Sequence, residues 1–247
     1  MKNIYHTDGT PVAFFTAVFN AYKDEKGYIT SSNCFQTSLG DAWQEVTPNE
    51  EKAARVVKKI REVEPRAFQE IDWILRTADD DKEQAAFEYL KLVLKYGKHT
   101  REKLTISAVR RAMDLTSHVG TEVHRLHGFL RFQEGENGVF YAPCAPDNDV
   151  LELLLPHFIA RFKKQSFVIH DVKRKIAALY NGDEWIIVPA EKAEITASES
   201  EKAILSLWKK YYHTVAIPMR KNTRQMKNYM PVRYWKFIVE KDGDDAD

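Results

Sequence analysis

The chain has 247 residues, with 37 Lys+Arg against 36 Asp+Glu for a formal charge of +1, 44% hydrophobic and 30% charged residues. That length suits one large domain or two small ones, and the composition excludes a disordered chain. The near-neutral balance excludes a uniformly basic coat for polyanions while leaving a local basic face open. The two cysteines, Cys34 and Cys144, form no CxxC pair, which excludes a cysteine-rich zinc or iron–sulfur module and a disulfide framework. No window approaches the roughly 18 apolar residues of a membrane helix, and no secretory signal opens the chain. A cytoplasmic protein with no metal and no cofactor of its own is the expectation.

In chain order, Thr10-Pro11 reads as an N-cap and first helical residue, with Phe14, Val18 and Tyr22 following at helical spacing. Gly27 to Gly40, which contains Cys34 and Gln36, reads as a loop. Thr47-Pro48-Asn49-Glu50 has the form of a capping box with Thr47 as N-cap, opening a helix that turns Ala53, Val56, Val57 and Ile60 inward. Pro65 opens another helix, Asp79-Asp80-Asp81 interrupts it, and Phe87, Leu90, Val93 and Leu94 resume the period until Gly97. The stripe Ile106, Val109, Met113, Thr116, Gly120, Val123 predicts a long helix with a neighbouring element close to Gly120.

Beyond it the pattern shortens. Leu126–Phe132 and Val139–Ala142 flank an Asn137-Gly138 turn and predict a hairpin. Pro146-Asp147-Asn148-Asp149 predicts the cap of a helix carrying Leu151, Leu154, Leu155, Phe158 and Phe162, with Pro156 inside it. Three short strands follow at Phe167–Ile169, Lys175–Tyr180 and Glu184–Val188, then a capping box at Ser198–Glu201 and a helix with Ile204, Leu205, Trp208 and Tyr211. The predicted fold is α+β in one continuous domain over 1–240: a helical lobe to about residue 124, a small antiparallel sheet with an inserted helix over 125–190, and a C-terminal helix with a basic segment over 196–240. Residues 241–247 form an acidic tail expected to be disordered.

Three groups of residues bear on function. Between Arg220 and Lys236, the residues Arg220, Lys221, Arg224, Lys227, Arg233 and Lys236 occur without a single acid. Asn222, Gln225 and Asn228 add hydrogen-bonding groups, and Tyr229, Tyr234 and Trp235 add flat faces. Phosphates want cations and unstacked bases want rings, so this mixture suits nucleic acid. The alternative is a strap in which the aromatic residues pin the C-terminus to the core and the cations stay solvated. The second group is Glu122, His124 and His127 with Arg125 and Arg131, at the helix-to-strand junction; Arg125 and Arg131 can extend a basic surface, and with His118 the histidines and Glu122 are of metal-ligand type. The spacing Glu-x-His-x-x-His fits no established zinc pattern. Glu122 and His124 are candidate acid–base residues, as is Asp171 at a strand end, which pairs instead with Arg174 in the structural reading. P-loop, dinucleotide-binding, nucleophile-elbow and deaminase motifs are absent.

Six stretches taken together resemble a known family: Asp8-Gly9 before FFTAVFNAY, EVHRLHGFLRF, Pro156-His157-Phe158 with Arg161, Asp171 with Arg174 and Tyr180, Trp208 with Tyr211, and Arg220-x-Asn222-x-x-Gln225 before Met230-Pro231-x-Arg233-Tyr234-Trp235. The chain is similar to a bacterial family of domains of unknown function associated with DNA repair or DNA metabolism. Its members stand alone beside a radical-SAM protein or are fused to a uracil-DNA-glycosylase-like domain. The resemblance implies the stand-alone form, with DNA, single-stranded or damaged, and a radical-SAM protein as partners; His127 departs from the family pattern. The leading expectation is a nucleic-acid-binding accessory or damage-recognition factor. Its rivals are an enzyme acting on DNA or nucleotides through Glu122, His124 and Asp171, and an interaction scaffold that binds no DNA.

Overall fold

The Thr10-Pro11 signal becomes a helix start in fact. Thr10 has extended backbone, its hydroxyl accepts from Ala13 N at 3.2 Å, and Pro11 opens the helix α1, Pro11–Ala21. The computed structural model describes residues 1–33, 37–192, 196–220 and 222–241, and its architecture is α+β. Cys34, Gln36, Lys221 and the tail 242–247 lie outside the described residues. The chain divides into two compact units, Met1–Gly120 and Thr121–Asp247, each with its own sheet.

The first unit is not purely helical, as its sequence led us to expect. Strands β1 (Asn3–His6), β2 (Gly27–Thr30) and β3 (Ala42–Glu45) form a parallel sheet in the order β2-β1-β3. Each has four residues, and β2 is buried at every position. A short strand buried on both faces shows no alternation, which is why it read as loop. Helices α2 (Glu50–Val63), α3 (Pro65–Leu75) and α4 (Lys82–Tyr96) complete the unit, with Phe14, Ile60, Ile71, Phe87 and Leu90 in the core. The cap of α2 is Asn49, not Thr47: its side chain accepts from Lys52 N at 2.9 Å, while its own N–H donates to Thr16 Oγ1 at 3.0 Å. That tertiary bond selects Asn49 over the neighbouring sequence pattern.

Helix α5 (Ser107–Phe129) runs past the last residue of its predicted stripe and absorbs Leu126–Phe129, which had read as the start of a strand. Gly120 does mark a close approach, since a Cβ there would lie 3.0 Å from the Trp73 ring. Gly120→Val is therefore expected to destabilise the protein by about 1–3 kcal/mol through overpacking. Urea unfolding should show a lower midpoint at unchanged slope, and an unshifted midpoint would contradict the contact.

In the second unit, β4 (Gln133–Glu134), β5 (Phe140–Cys144), β6 (Phe167–Asp171), β7 (Ile176–Tyr180) and β8 (Trp185–Pro189) form a sheet in chain order. A hairpin closes at the expected turn, with Gly138 at φ 74°, but its first strand is Gln133–Glu134 and not Leu126–Phe132. The sheet is mixed where an antiparallel one was expected. β5 and β6 run parallel because helix α6 (Leu151–Phe162) carries the chain back between them. The last elements are α7 (Glu199–Val215), capped by Ser198 as its box predicts, and α8 (Thr223–Tyr229), followed by 3-10 turns over Val232–Phe237 and Val239–Lys241. No helix among the described residues is long and apolar enough to cross a membrane.

Candidate functional site

Glu122 occupies a turn of α5 where its side chain enters the interior of the second unit, 2% exposed. Its carboxylate accepts from the backbone N–H groups of Asp147 at 3.0 Å and Asn148 at 2.8 Å, and from Asn148 Nδ2 at 2.7 Å. Arg233 Nη2 at 2.9 Å and the Tyr234 hydroxyl at 3.0 Å complete the set. Burial alone pushes this carboxyl up, but the Asn148 and Asp147 amides, Arg233 and Tyr234 together hold it below the usual range. The loop expected to cap α6 is thus turned the other way. Val150 is the residue at the cap of α6, with no side-chain cap bond, and Asp147 and Asn148 serve Glu122.

The network continues through the same loop. Arg233 reaches Asp147 Oδ2 at 3.1 Å, and Arg174 donates to the carbonyl oxygens of Asp147 and of Pro146, the latter at 3.1 Å. Arg174 Nη1 also meets Asp171 Oδ2 at 2.9 Å, and Asp171, with no exposed surface, accepts the N–H of Lys173 and of Arg174. Cys144 lies across from Asp171 in the parallel pair, and its thiol donates to His170 O. Burial, with the Asp171 and Glu122 carboxylates, pushes that thiol far up, so it stays protonated. His170 Nε2 faces Ala190 O at 3.0 Å, which puts the proton there and leaves Nδ1 to accept from Tyr141 at 2.8 Å.

The three candidate acid–base residues do not form one constellation. Glu122 and Asp171 are joined through Asp147 and Arg174, but both are saturated with donors. His124 is exposed, two residues from Glu122 on a helix, a spacing that points the two side chains apart. His127 stacks on His157 with centroids 4.1 Å apart. Burial and the neighbouring His157 and His124 lower its pKa, and its Nε2 is buried without a partner. Among the described residues no group of three or more His, Cys, Asp or Glu is placed to hold a metal ion.

The basic segment divides in two. Arg233 and Tyr234 are drawn inward to Glu122, and Tyr234 is 2% exposed, so it offers no face for stacking. Trp235 Nε1 donates to Met230 O, and Arg125 donates to Asn228 O at 3.2 Å. Arg131 is engaged with Glu240 at 2.6 Å, where Trp208 Nε1 also donates at 3.1 Å. Arg220, Asn222, Arg224, Gln225, Lys227 and Tyr229 are all exposed, and among the described ion pairs none involves Arg220, Arg224 or Lys227. The Asn222-x-x-Gln225 spacing has a local explanation as well, because Asn222 caps α8 by accepting from Gln225 N at 3.0 Å. The residues that sequence reasoning missed as site members, Asp147, Asn148 and Glu240, carry no short-range signal, whereas the pairing of Asp171 with Arg174, three residues on, was open to sequence reasoning. Glu122 meets Arg233 across 111 positions of sequence.

No curated protein and no solved structure matches the chain. The model of a family described as a domain of unknown function, DUF4130, matches residues 80–240, from α4 through the whole buried network to the Glu240 anchor. Spanning well over half of its length, that match places this chain in the DUF4130 family.

Proposed function

We propose that the protein is a nucleic-acid-binding accessory factor in DNA repair or DNA metabolism, using the exposed cationic face around α8 to hold single-stranded or damaged DNA. The observation that carries this reading is that α8 has no buried residue. A seven-residue helix with no fully buried residue is marginal on its own, and Arg224 and Lys227, three apart, repel each other. A polyanion removes that repulsion and gives the helix a partner. Arg220, Arg224 and Lys227 supply phosphate contacts, Asn228 and Gln225 supply polar edges, and Tyr229, 70% exposed, supplies a stacking face. The resemblance to DNA-repair-associated proteins supports a radical-SAM protein as the working partner, so that any chemistry on the DNA belongs to that partner. The saturation of Glu122 and Asp171, together with the outward placement of His124, favours a structural role for these residues over an enzymatic one.

Anisotropy titration of a labelled single-stranded oligonucleotide tests the reading. Wild-type affinity should fall steeply between about 50 and 200 mM salt. An Arg220→Ala/Arg224→Ala/Lys227→Ala variant should reduce the slope of log affinity against log salt by about 2, at roughly 0.7 for each lost phosphate contact. Tyr229→Ala should weaken binding by about 1–3 kcal/mol. Arg233 is left intact in this test, since its removal strands Glu122. Salt-independent binding, or unchanged binding by the triple variant, would sink the proposal.

A further inference from the structure

The first unit contains a groove that the nucleic-acid reading does not use. Its volume is about 590 Å³, and it lies against α1, α2 and the C-terminal turn of α4. Val18, Val56 and Leu94 give it an aliphatic lining. Phe19 and Tyr22 also line it and remain 39% and 44% exposed, an unusual position for two aromatic rings one helical turn apart. The charged residues of the lining are Lys23, Arg55 and Lys59, all exposed, and no carboxylate is among them. Lys59 has Glu62 at 3.8 Å, but both side chains are more than half exposed and such a pair holds weakly.

We infer that this groove is a docking site for an acidic amphipathic helix of a partner protein. An aliphatic trough beside exposed aromatic rings takes the Leu-type anchors that a helix presents at i, i+3, i+4 and i+7. Lys23, Arg55 and Lys59 then face the carboxylates that flank such anchors, and Tyr and Arg are the residue types that dominate binding energy at interfaces. The same geometry argues against a nucleobase here. The Lys52 ammonium and the Arg55 guanidinium already lie over the Phe19 ring, 5.5 and 5.7 Å from its centroid, so a base stacking on that face would have to displace both. Carboxylates instead pair with those cations where they stand. No residue of the lining belongs to α8, so variants of either can be made alone, and DNA binding can fail while peptide docking holds, and the reverse.

The test uses the full chain and a fluorescein-labelled helical peptide of about 14 residues, with Leu on one heptad stripe and Glu elsewhere. A peptide of the same composition in scrambled order, lacking the stripe, is the control. Saturable binding of the striped peptide is expected, with weaker binding of the scrambled one. Tyr22→Ala and Arg55→Glu/Lys59→Glu should each weaken it by about tenfold or more. These side chains are exposed, and unchanged thermal unfolding of the variants shows that the fold is kept. Equal binding of the scrambled peptide, or unchanged binding by both variants, overturns the inference. It is also overturned if an oligo-dT strand displaces the peptide, which makes the groove a nucleic-acid site. Concentration-dependent dimerisation abolished by Tyr22→Ala does the same, since the occupant is then a second copy of the chain.

Discussion

Glu122→Ala is expected to be the most damaging single substitution in the second unit, costing about 3–5 kcal/mol, because removing one partner of a buried ion pair strands everything that was bound to it. Five donors lose their acceptor at once: two backbone amides, the Asn148 amide, the Tyr234 hydroxyl and the Arg233 guanidinium. Arg233 is 37% exposed and recovers some hydration, which places the loss toward the lower end of that range. The Asn148 amides and Tyr234, all buried, recover none. Glu122→Gln keeps an oxygen for part of the set but turns an NH₂ group toward the remaining donors, so it should fall between wild type and Glu122→Ala. Urea unfolding followed by near-UV circular dichroism reads both. A loss below about 1 kcal/mol for Glu122→Ala, the scale of an ordinary exposed contact, would show that the network is not formed.

The same carboxylate gives the protein an acid limit. Glu122 titrates below its unfolded value of about 4.3 in the folded chain, so its contribution is fully present above that pH and is lost as pH falls through the lower folded value. Glu240, lowered by Arg131 and Trp208 against the opposing effect of burial, has the same sign. Acid unfolding of wild type should therefore steepen below about pH 4.3, and Glu122→Gln should flatten that dependence.

What the sequence made legible was what local chemistry controls. Caps at Thr10 and Ser198, helix starts at Pro11 and Pro65, the break at Asp79–Asp81, and the glycine turn at Gly138 all rest on residues within four positions of one another. The close approach at Gly120 could be read because a glycine inside a strong apolar stripe has few other uses. The strands of the first unit stayed hidden because four residues are too few to show a period, whether all buried as in β2 or all exposed as in β3, and the end of α5 was misplaced because Leu126 and Leu130, four apart, share one face of a strand and of a helix alike. The site divided along the same line. Glu122 and Asp171 stood out by type and position. Asp171 has Arg174 three residues on, but the partners of Glu122 are distant in sequence: Asp147 and Asn148 looked like a helix cap, and Arg233, like the Arg131 that pairs with Glu240, looked like a free cation. Charge near a terminus says nothing about whether a buried carboxylate elsewhere in the chain has claimed it. Of the basic stretch, Arg220, Arg224, Lys227 and Tyr229 keep the exposure that the nucleic-acid reading needs, while Arg233 and Tyr234 serve the strap. The strap describes part of the segment, and the exposed remainder is what the nucleic-acid proposal rests on.

Asp171→Ala should be the second severe change, again about 3–5 kcal/mol, by the loss of a buried carboxylate from beside Arg174. Asp171 does two things that no neighbour duplicates. It closes the β6–β7 turn by accepting the N–H groups of Lys173 and Arg174, and it holds the guanidinium that grips the Pro146 and Asp147 carbonyls. Its absence frees the loop that also delivers two amides to Glu122, so the two carboxylates are expected to be coupled. Glu122→Gln and Asp171→Asn combined should differ from the sum of the single effects by at least about 0.5 kcal/mol, as for residues sharing one network. Cys144 provides a second readout, because it sits opposite Asp171 with 1% exposure. In a Cys34→Ser background, where it is the sole thiol of the chain, Asp171→Ala should speed its labelling by a disulfide reagent about tenfold or more, through local opening. Additive losses with no change in labelling would mean that Asp171 and Glu122 are independent pins. The case for Asp171 as an acid–base residue would reopen only if Asp171→Ala cost little stability, since a carboxylate whose removal leaves the fold intact is free to have been placed there for chemistry.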